Sequence, residues 1–106
     1  MSSDSVLAGL QVVEVSAFVA APFAGMVLAQ LGAEVIRVDP VGGGIDHDRW
    51  PVTGDGKSLY WAGLNKGKRS VAVDVRSDEG RDLVRRLVTA PGENRGILVT
   101  NLTPRW

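Results

Sequence analysis

Apolar and polar residues over the first forty positions fall into three blocks of different period. Gln11–Val15 (QVVEV) is short, β-branched and apolar, the pattern of a strand covered on both faces. Pro22 suits the first turn of a helix, where a missing N–H costs no hydrogen bond. Phe23, Val27 and Leu31 then recur at helical spacing, with Ala24 and Leu28 on the neighbouring row and Gln30 the lone polar side chain. This predicts a helix over residues 23–31 that is buried almost all round. Gly32 ends it, as a residue free to take positive φ does. Residues 34–38 (EVIRV) make a second strand, closed by Asp39 and Pro40. A crossover of this length joins parallel strands. The predicted fold class is therefore α/β, an open parallel Rossmann-like sheet with flanking helices.

The pattern continues less regularly. Residues 40–57 (PVGGGIDHDRWPVTGDGK) are rich in glycine with two prolines and predict a long surface excursion. Long loops inside small domains are usually functional or mobile, so residues 41–53 are expected to act as a lid carrying Trp50. Residues 58–64 (SLYWAGL) predict a helical turn, 65–69 (NKGKR) a basic turn, and 70–75 (SVAVDV) a third strand. Ser77 is placed to cap a further helix, with Asp78 and Glu79 at its positive end. Leu83, Val84, Leu87 and Val88 form the apolar face of that helix and Arg81, Asp82, Arg85 and Arg86 the polar one. Residues 96–100 (GILVT) predict a fourth strand, and Asn101 follows where a parallel sheet carries its binding loops. Two βα units of this kind read as the N-terminal portion of a larger domain.

Composition narrows the function classes. Lys+Arg and Asp+Glu each number 12, so the formal net charge is zero. That balance argues against nucleic acid or an anionic membrane as the main partner. There is no cysteine, which excludes disulfides, thiolate nucleophiles and Cys-ligated metals. No segment reaches the roughly 18 apolar residues of a membrane span, and the first residues lack a basic start, so a cytoplasmic protein is the default expectation.

Candidate chemistry is sparse. The turn after the first strand (SAFVAAP) sits where α/β folds bind phosphate at a helix N-terminus, but it lacks the glycines of a dinucleotide fingerprint. Asp39 either mimics a ribose-binding acid or caps the turn before Pro40. His47, between Asp46 and Asp48, has no further metal ligand in view, and no metal is expected. Lys66, Lys68 and Arg69 either hold phosphates or form a solvated basic turn. Asn101 either bonds a ligand or caps a turn. No paired acids, Ser/His/Asp set or P-loop is present.

Taken together, Val12-Val13-Glu14-Val15, Ala20-Ala21-Pro22 and the run from Leu28 to Asp39 (LAQLGAEVIRVD) resemble the opening of the family III CoA-transferases, which include α-methylacyl-CoA racemases. Asn65 to Asp74 (NKGKRSVAVD), Glu79-Gly80-Arg81 and Asn101-Leu102 continue the resemblance. SAFVAAP, VGGGIDHDRWPVT and LYWAGLNKGKRS look like the branch that isomerises 2-methylfumaryl-CoA (mesaconyl-CoA) by moving CoA between two carboxyls of one molecule. The resemblance implies coenzyme A, as an acyl-CoA substrate, along the C-terminal edge of the sheet. Val19 and Ala20 would line the acyl-thioester end. Val73, Asp74, Val75 and Arg76 would hold the adenine nucleotide, with Arg76 on phosphate, and Asn101, Leu102 and Thr103 would border the pantetheine. Pro40 stands where many members carry an Arg that contacts CoA; Arg37 or Lys68 would be the substitute. The family nucleophile, an Asp carboxylate that gives a mixed anhydride with the thioester, would lie beyond residue 106, so no catalytic residue is expected in this chain. Family members are interlocked homodimers. A racemase and a non-catalytic nucleotide-binding module are the alternative readings.

Overall fold

The computed structural model describes residues 6–16, 20–43 and 48–102. Seven elements follow in order: β1 (Gln11–Val15), α1 (Ala20–Gln30), β2 (Glu34–Asp39), α2 (Leu59–Asn65), β3 (Arg69–Ala72), α3 (Asp78–Val88) and β4 (Ile97–Thr100). The four strands form one sheet in the order β3-β2-β1-β4, and every pairing is parallel. The chain moves outward from β1 through β2 to β3, then returns to place β4 on the other side of β1. The point of reversal therefore lies between β1 and β4.

Alternation along the strands divides the core into two layers. Val13, Val15, Val38 and Val73 pack with Val84 of α3 on one face. Val12 and Val35 pack with Ala29 and Ala33 on the other, beneath α1. The register sets Val13 beside Ile36 and Glu14 beside Arg37, so Glu14 and Arg37 belong to the α1 face together with Val12 and Val35. These are the largest side chains with almost no exposure.

Local signals place the helix ends. Pro22 occupies the first turn of α1. At its other end Gly32 takes φ 109°, while Ala33 N–H donates to Leu28 O (3.0 Å) and Gly32 N–H to Ala29 O (3.1 Å), the paired bonds of a Schellman stop. Ser77 caps α3, its hydroxyl accepting from Gly80 N–H at 3.0 Å, with Asp78 and Glu79 in the first turn and Arg85 and Arg86 in the last.

Four expectations need correction. The α1 helix is not buried all round: Phe23, Val27 and Leu31 are 51%, 36% and 44% exposed, while the face turned to the sheet is Ala21, Pro22, Gly25 and Ala29. Small residues face inward because charged side chains from the strands occupy the space beneath the helix. Leu83 is likewise exposed, and α3 packs through Val84, Leu87 and Val88. The third strand ends at Ala72, because the backbone turns at Asp74, whose carbonyl accepts from Ser77 N–H (3.2 Å) and Ser77 Oγ–H (2.8 Å). The excursion after β2 is partly folded back: Thr53 N–H donates to Lys57 O (2.7 Å), Leu59 N–H to Pro51 O (2.8 Å), and Ser58 Oγ–H to Arg49 O. Its residues 44–47, including His47, lie outside the described part.

Candidate functional site

Because all four strands are parallel, their C-terminal ends share one edge. There Pro40, Val41, Val73, Asp74, Val75 and Arg76 line a groove of about 680 Å³. It meets a smaller one of about 220 Å³ at Pro40, walled by Asp39, Gly42, Gly43, Trp61, Ser70 and Ala72. Gly42 and Gly43 both have φ near +95° (93° and 99°), which lets the backbone turn tightly over this second groove.

The turn that carries Asp74 to Arg76 is braced from three sides. Asp74 Oδ1 accepts from Arg76 N–H at 3.0 Å. Arg81 Nη1 reaches back from α3 to Val75 O (3.2 Å) and Arg76 O (2.9 Å). Gly80 allows α3 to approach, since a Cβ there would stand 1.8 Å from Asp74 O. Backbone held this firmly leaves the exposed Arg76 side chain beside the groove as a cation on a defined base.

The other residues singled out from the sequence lie along the same edge. Ala20 is the exposed first residue of α1, above the end of β1. Thr100 Oγ1–H bonds Val15 O (2.6 Å) and its oxygen accepts from Leu102 N–H (3.1 Å), which fixes the exit of β4 where Asn101 and Leu102 are exposed. Val19 and Thr103 lie outside the described residues. The edge thus brings Val73, Asp74, Val75 and Arg76 into one groove, with Ala20, Asn101 and Leu102 further along towards β1 and β4.

Beneath α1 lies a cluster that sequence reasoning missed. Lys68 Nζ stands 2.7 Å from Glu14 Oε1, with side-chain exposures of 2% and 0%. The same ammonium donates to Pro22 O and to Asn65 Oδ1, both at 2.8 Å. Arg37 donates through Nε to Asp39 Oδ1 (2.9 Å) and through Nη1 to Asn65 Oδ1 (2.6 Å). Its Nη2 reaches Ser16 O at 3.4 Å, and its guanidinium lies 5.7 Å from the Trp61 ring centre. Ser16 Oγ–H completes the set on Glu14 Oε2, and Ser70 Oγ–H bonds Asp39 Oδ2 at 2.7 Å. Desolvation lowers the Lys68 ammonium below the ordinary lysine value of 10.5, outweighing the attraction of Glu14, which raises it.

This geometry revises three expectations. Arg37 and Lys68 do not substitute for a phosphate-binding Arg, because both are buried and committed to carboxylates. Asp39 has both carboxylate oxygens bonded within the sheet, Oδ1 by Arg37 Nε and Oδ2 by Ser70 Oγ, an engagement that neither reading of it anticipated. The basic turn divides: Lys68 points inward, Lys66 is exposed, and Arg69 pairs with Glu34 at 3.3 Å on the surface. The available signal for the cluster was a charge set among apolar neighbours in each of two strands otherwise built for burial, Glu14 in β1 and Arg37 in β2, which demands a partner. Among the described residues no group of three or more His, Asp or Glu could hold a metal, and no helix is long and apolar enough to cross a membrane.

A parallel sheet of this order, with α1 packed on one face and α3 on the other, defines an open α/β fold with grooves at its C-terminal edge. The chain belongs to CoA-transferase family III, whose model matches residues 7–105. It is 63% identical over 101 residues to a 2-methylfumaryl-CoA isomerase of Chloroflexus aurantiacus, covering 94% of this chain and 25% of that protein. A succinyl-CoA–D-citramalate CoA-transferase of the same organism is 44% identical over 80 residues, 74% of this chain and 20% of that one. A CAIB/BAIF family protein from Brucella suis superimposes with TM-score 0.71 at 42% identity, covering 79% of this chain and 23% of its own. The chain thus spans about a quarter or less of the length of these relatives.

Proposed function

We propose that this chain is the N-terminal, coenzyme-binding part of an enzyme that transfers CoA between carboxylates, with 2-methylfumaryl-CoA as its substrate. The observation that carries the reading is the 63% identity, over nearly the whole chain, to an isomerase of that acyl-CoA. The geometry is compatible with it. The groove at Val73, Asp74, Val75 and Arg76 has room for a nucleotide and offers a cation for its phosphates. Ala20 and Asn101 with Leu102 lie along the edge towards the acyl and pantetheine ends. A carboxylate from elsewhere in the enzyme attacks the thioester carbonyl; a mixed anhydride forms and CoA leaves as its thiolate. The thiolate next attacks the enzyme-side carbonyl of that anhydride, which frees the first carboxylate of the substrate and leaves CoA as a thioester on the enzyme. The second carboxylate attacks this thioester to give a new mixed anhydride and CoA thiolate, and the thiolate attacks its substrate-side carbonyl, which places CoA on the second carboxyl and restores the enzyme carboxylate. The enzyme works as a cytoplasmic homodimer.

The full-length gene product should convert 2-methylfumaryl-CoA into the isomer bearing CoA on the other carboxyl, resolved by liquid chromatography. Binding of CoA without conversion removes the catalytic half of the proposal. Absence of CoA binding by calorimetry removes all of it.

A further inference from the structure

Stability alone is a weak reason for a buried charge cluster. Glu14, Asp39, Arg37 and Lys68 have side-chain exposures of 0%, 8%, 1% and 2%. Removing such ions from water costs about as much as their mutual attraction returns, and apolar residues of similar volume often serve stability as well. What apolar residues cannot do is donate hydrogen bonds to chosen backbone carbonyls. The two cations make one such bond on each side of the β1–α1 connection: Arg37 to Ser16 O at 3.4 Å, and Lys68 to Pro22 O at 2.8 Å.

The surrounding residues fit this use. Gly25 leaves a notch in α1 that the Glu14 carboxylate enters; a Cβ at that position would stand 1.8 Å from Glu14 Oε1 and 3.2 Å from Lys68 Cε. The carboxylate therefore holds the ammonium within reach of the first helical turn. Asn65 Oδ1 accepts from both cations, and Asn65 Nδ2 donates to Trp61 O at 2.8 Å, which fixes the amide and ties α2 to the same point. Contacts of one cluster thus join β1, β2, α1, α2 and the start of β3.

We infer that Lys68, held by Glu14 in the Gly25 notch, is a positioning residue that sets the first turn of α1, and with it Ala20, against the acyl-thioester end of bound CoA. Its functional half rests on the proposed function above. Lys68 touches no substrate in this arrangement; it acts through Pro22 O. The expected signature is a split: the chemical step suffers while the nucleotide groove, on the far side of β2, still binds CoA.

The test compares the full-length protein with Lys68→Met and with the double variant Glu14→Gln/Lys68→Met, which leaves no orphaned buried carboxylate if the single variant fails to fold. Hydrogen exchange followed by mass spectrometry should show faster exchange in the first turns of α1 and unchanged exchange in α3. With 2-methylfumaryl-CoA, kcat should fall roughly 10- to 100-fold, the scale of a displaced reacting group, while calorimetric affinity for free CoA is unchanged. Unaltered exchange at the start of α1, or acceleration spread equally over α1 and α3, overturns the clamp. Unaltered kcat with altered exchange overturns the link to the acyl end. If the unsubstituted protein neither binds CoA nor turns over the acyl-CoA, the proposed function fails, and the exchange arm still decides whether Lys68 holds the helix.

Discussion

Lys68 Nζ lies 2.7 Å from Glu14 Oε1, and that ion pair spans from the start of β3 to the middle of β1 with almost no solvent contact. Its titration has a definite sign. Burial lowers the Lys68 pKa from 10.5, so between the folded value and 10.5 the unfolded chain carries more protons than the folded one. Stability from this group therefore rises with pH through that window. Denaturation measured from about pH 8 to about pH 11 should show wild type gaining relative to Glu14→Gln/Lys68→Met. A difference that shrinks steadily with pH would mean that the ammonium is stabilised, not strained, by burial.

Gly25→Ala tests the notch directly. A helical glycine replaced by alanine ordinarily gains about 1 kcal/mol. Here the added methyl would stand 1.8 Å from Glu14 Oε1, so overpacking dominates and a net loss of about 1–3 kcal/mol is expected. Urea midpoints decide the sign, and a stabilised variant would show that Glu14 has somewhere else to go.

Arg76→Ala should weaken CoA binding by about 1–3 kcal/mol, the scale of a lost hydrogen bond to a charged group. Arg76 is exposed on the groove of about 680 Å³, and its own N–H and carbonyl are held by Asp74 and Arg81, so the loss should leave the turn intact. Calorimetry with free CoA reads it. Equal affinities would take Arg76 off the phosphate.

Gly80→Ala should damage the same site by another route. The new methyl would meet the Asp74 carbonyl, a backbone atom that cannot swing aside, at 1.8 Å. Either α3 or the turn at Asp74 to Arg76 must shift, with an expected loss of about 1–3 kcal/mol in stability and weaker CoA binding. Preserved affinity would show that the turn does not shape the groove.

Residues 1–106 produced alone should self-associate. Phe23 and Val27 on α1 and Leu31 just past its end are exposed at helical spacing, and Leu98 is 42% exposed on β4. Edge strands and apolar rows of this kind invite pairing between copies. Sedimentation velocity checks it; a single monomeric boundary across a concentration series would contradict the expectation.

Much of this architecture was legible along the chain. The β-branched run at Gln11–Val15, Pro22 and Gly32 at the helix ends, and Ser77 before two acids are local signals, and each produced the element it announced. The run from Leu28 to Asp39 likewise carried the family resemblance. Tertiary structure alone decided which side of α1 turned inward. Periodicity marked Phe23, Val27 and Leu31, yet the space under the helix is filled by Glu14, Arg37 and Lys68, and only the small residues Ala21, Gly25 and Ala29 allow that approach. It also separated Lys68 from Lys66 and Arg69, which a local reading treats alike, because of the three it is Lys68 that reaches the buried carboxylate on a strand over fifty residues earlier, where Arg37 also stands within 3.9 Å. Strand alternation assigns residues to faces, but the partner of a buried charge depends on which segments the crossovers bring together, and no local pattern encodes that.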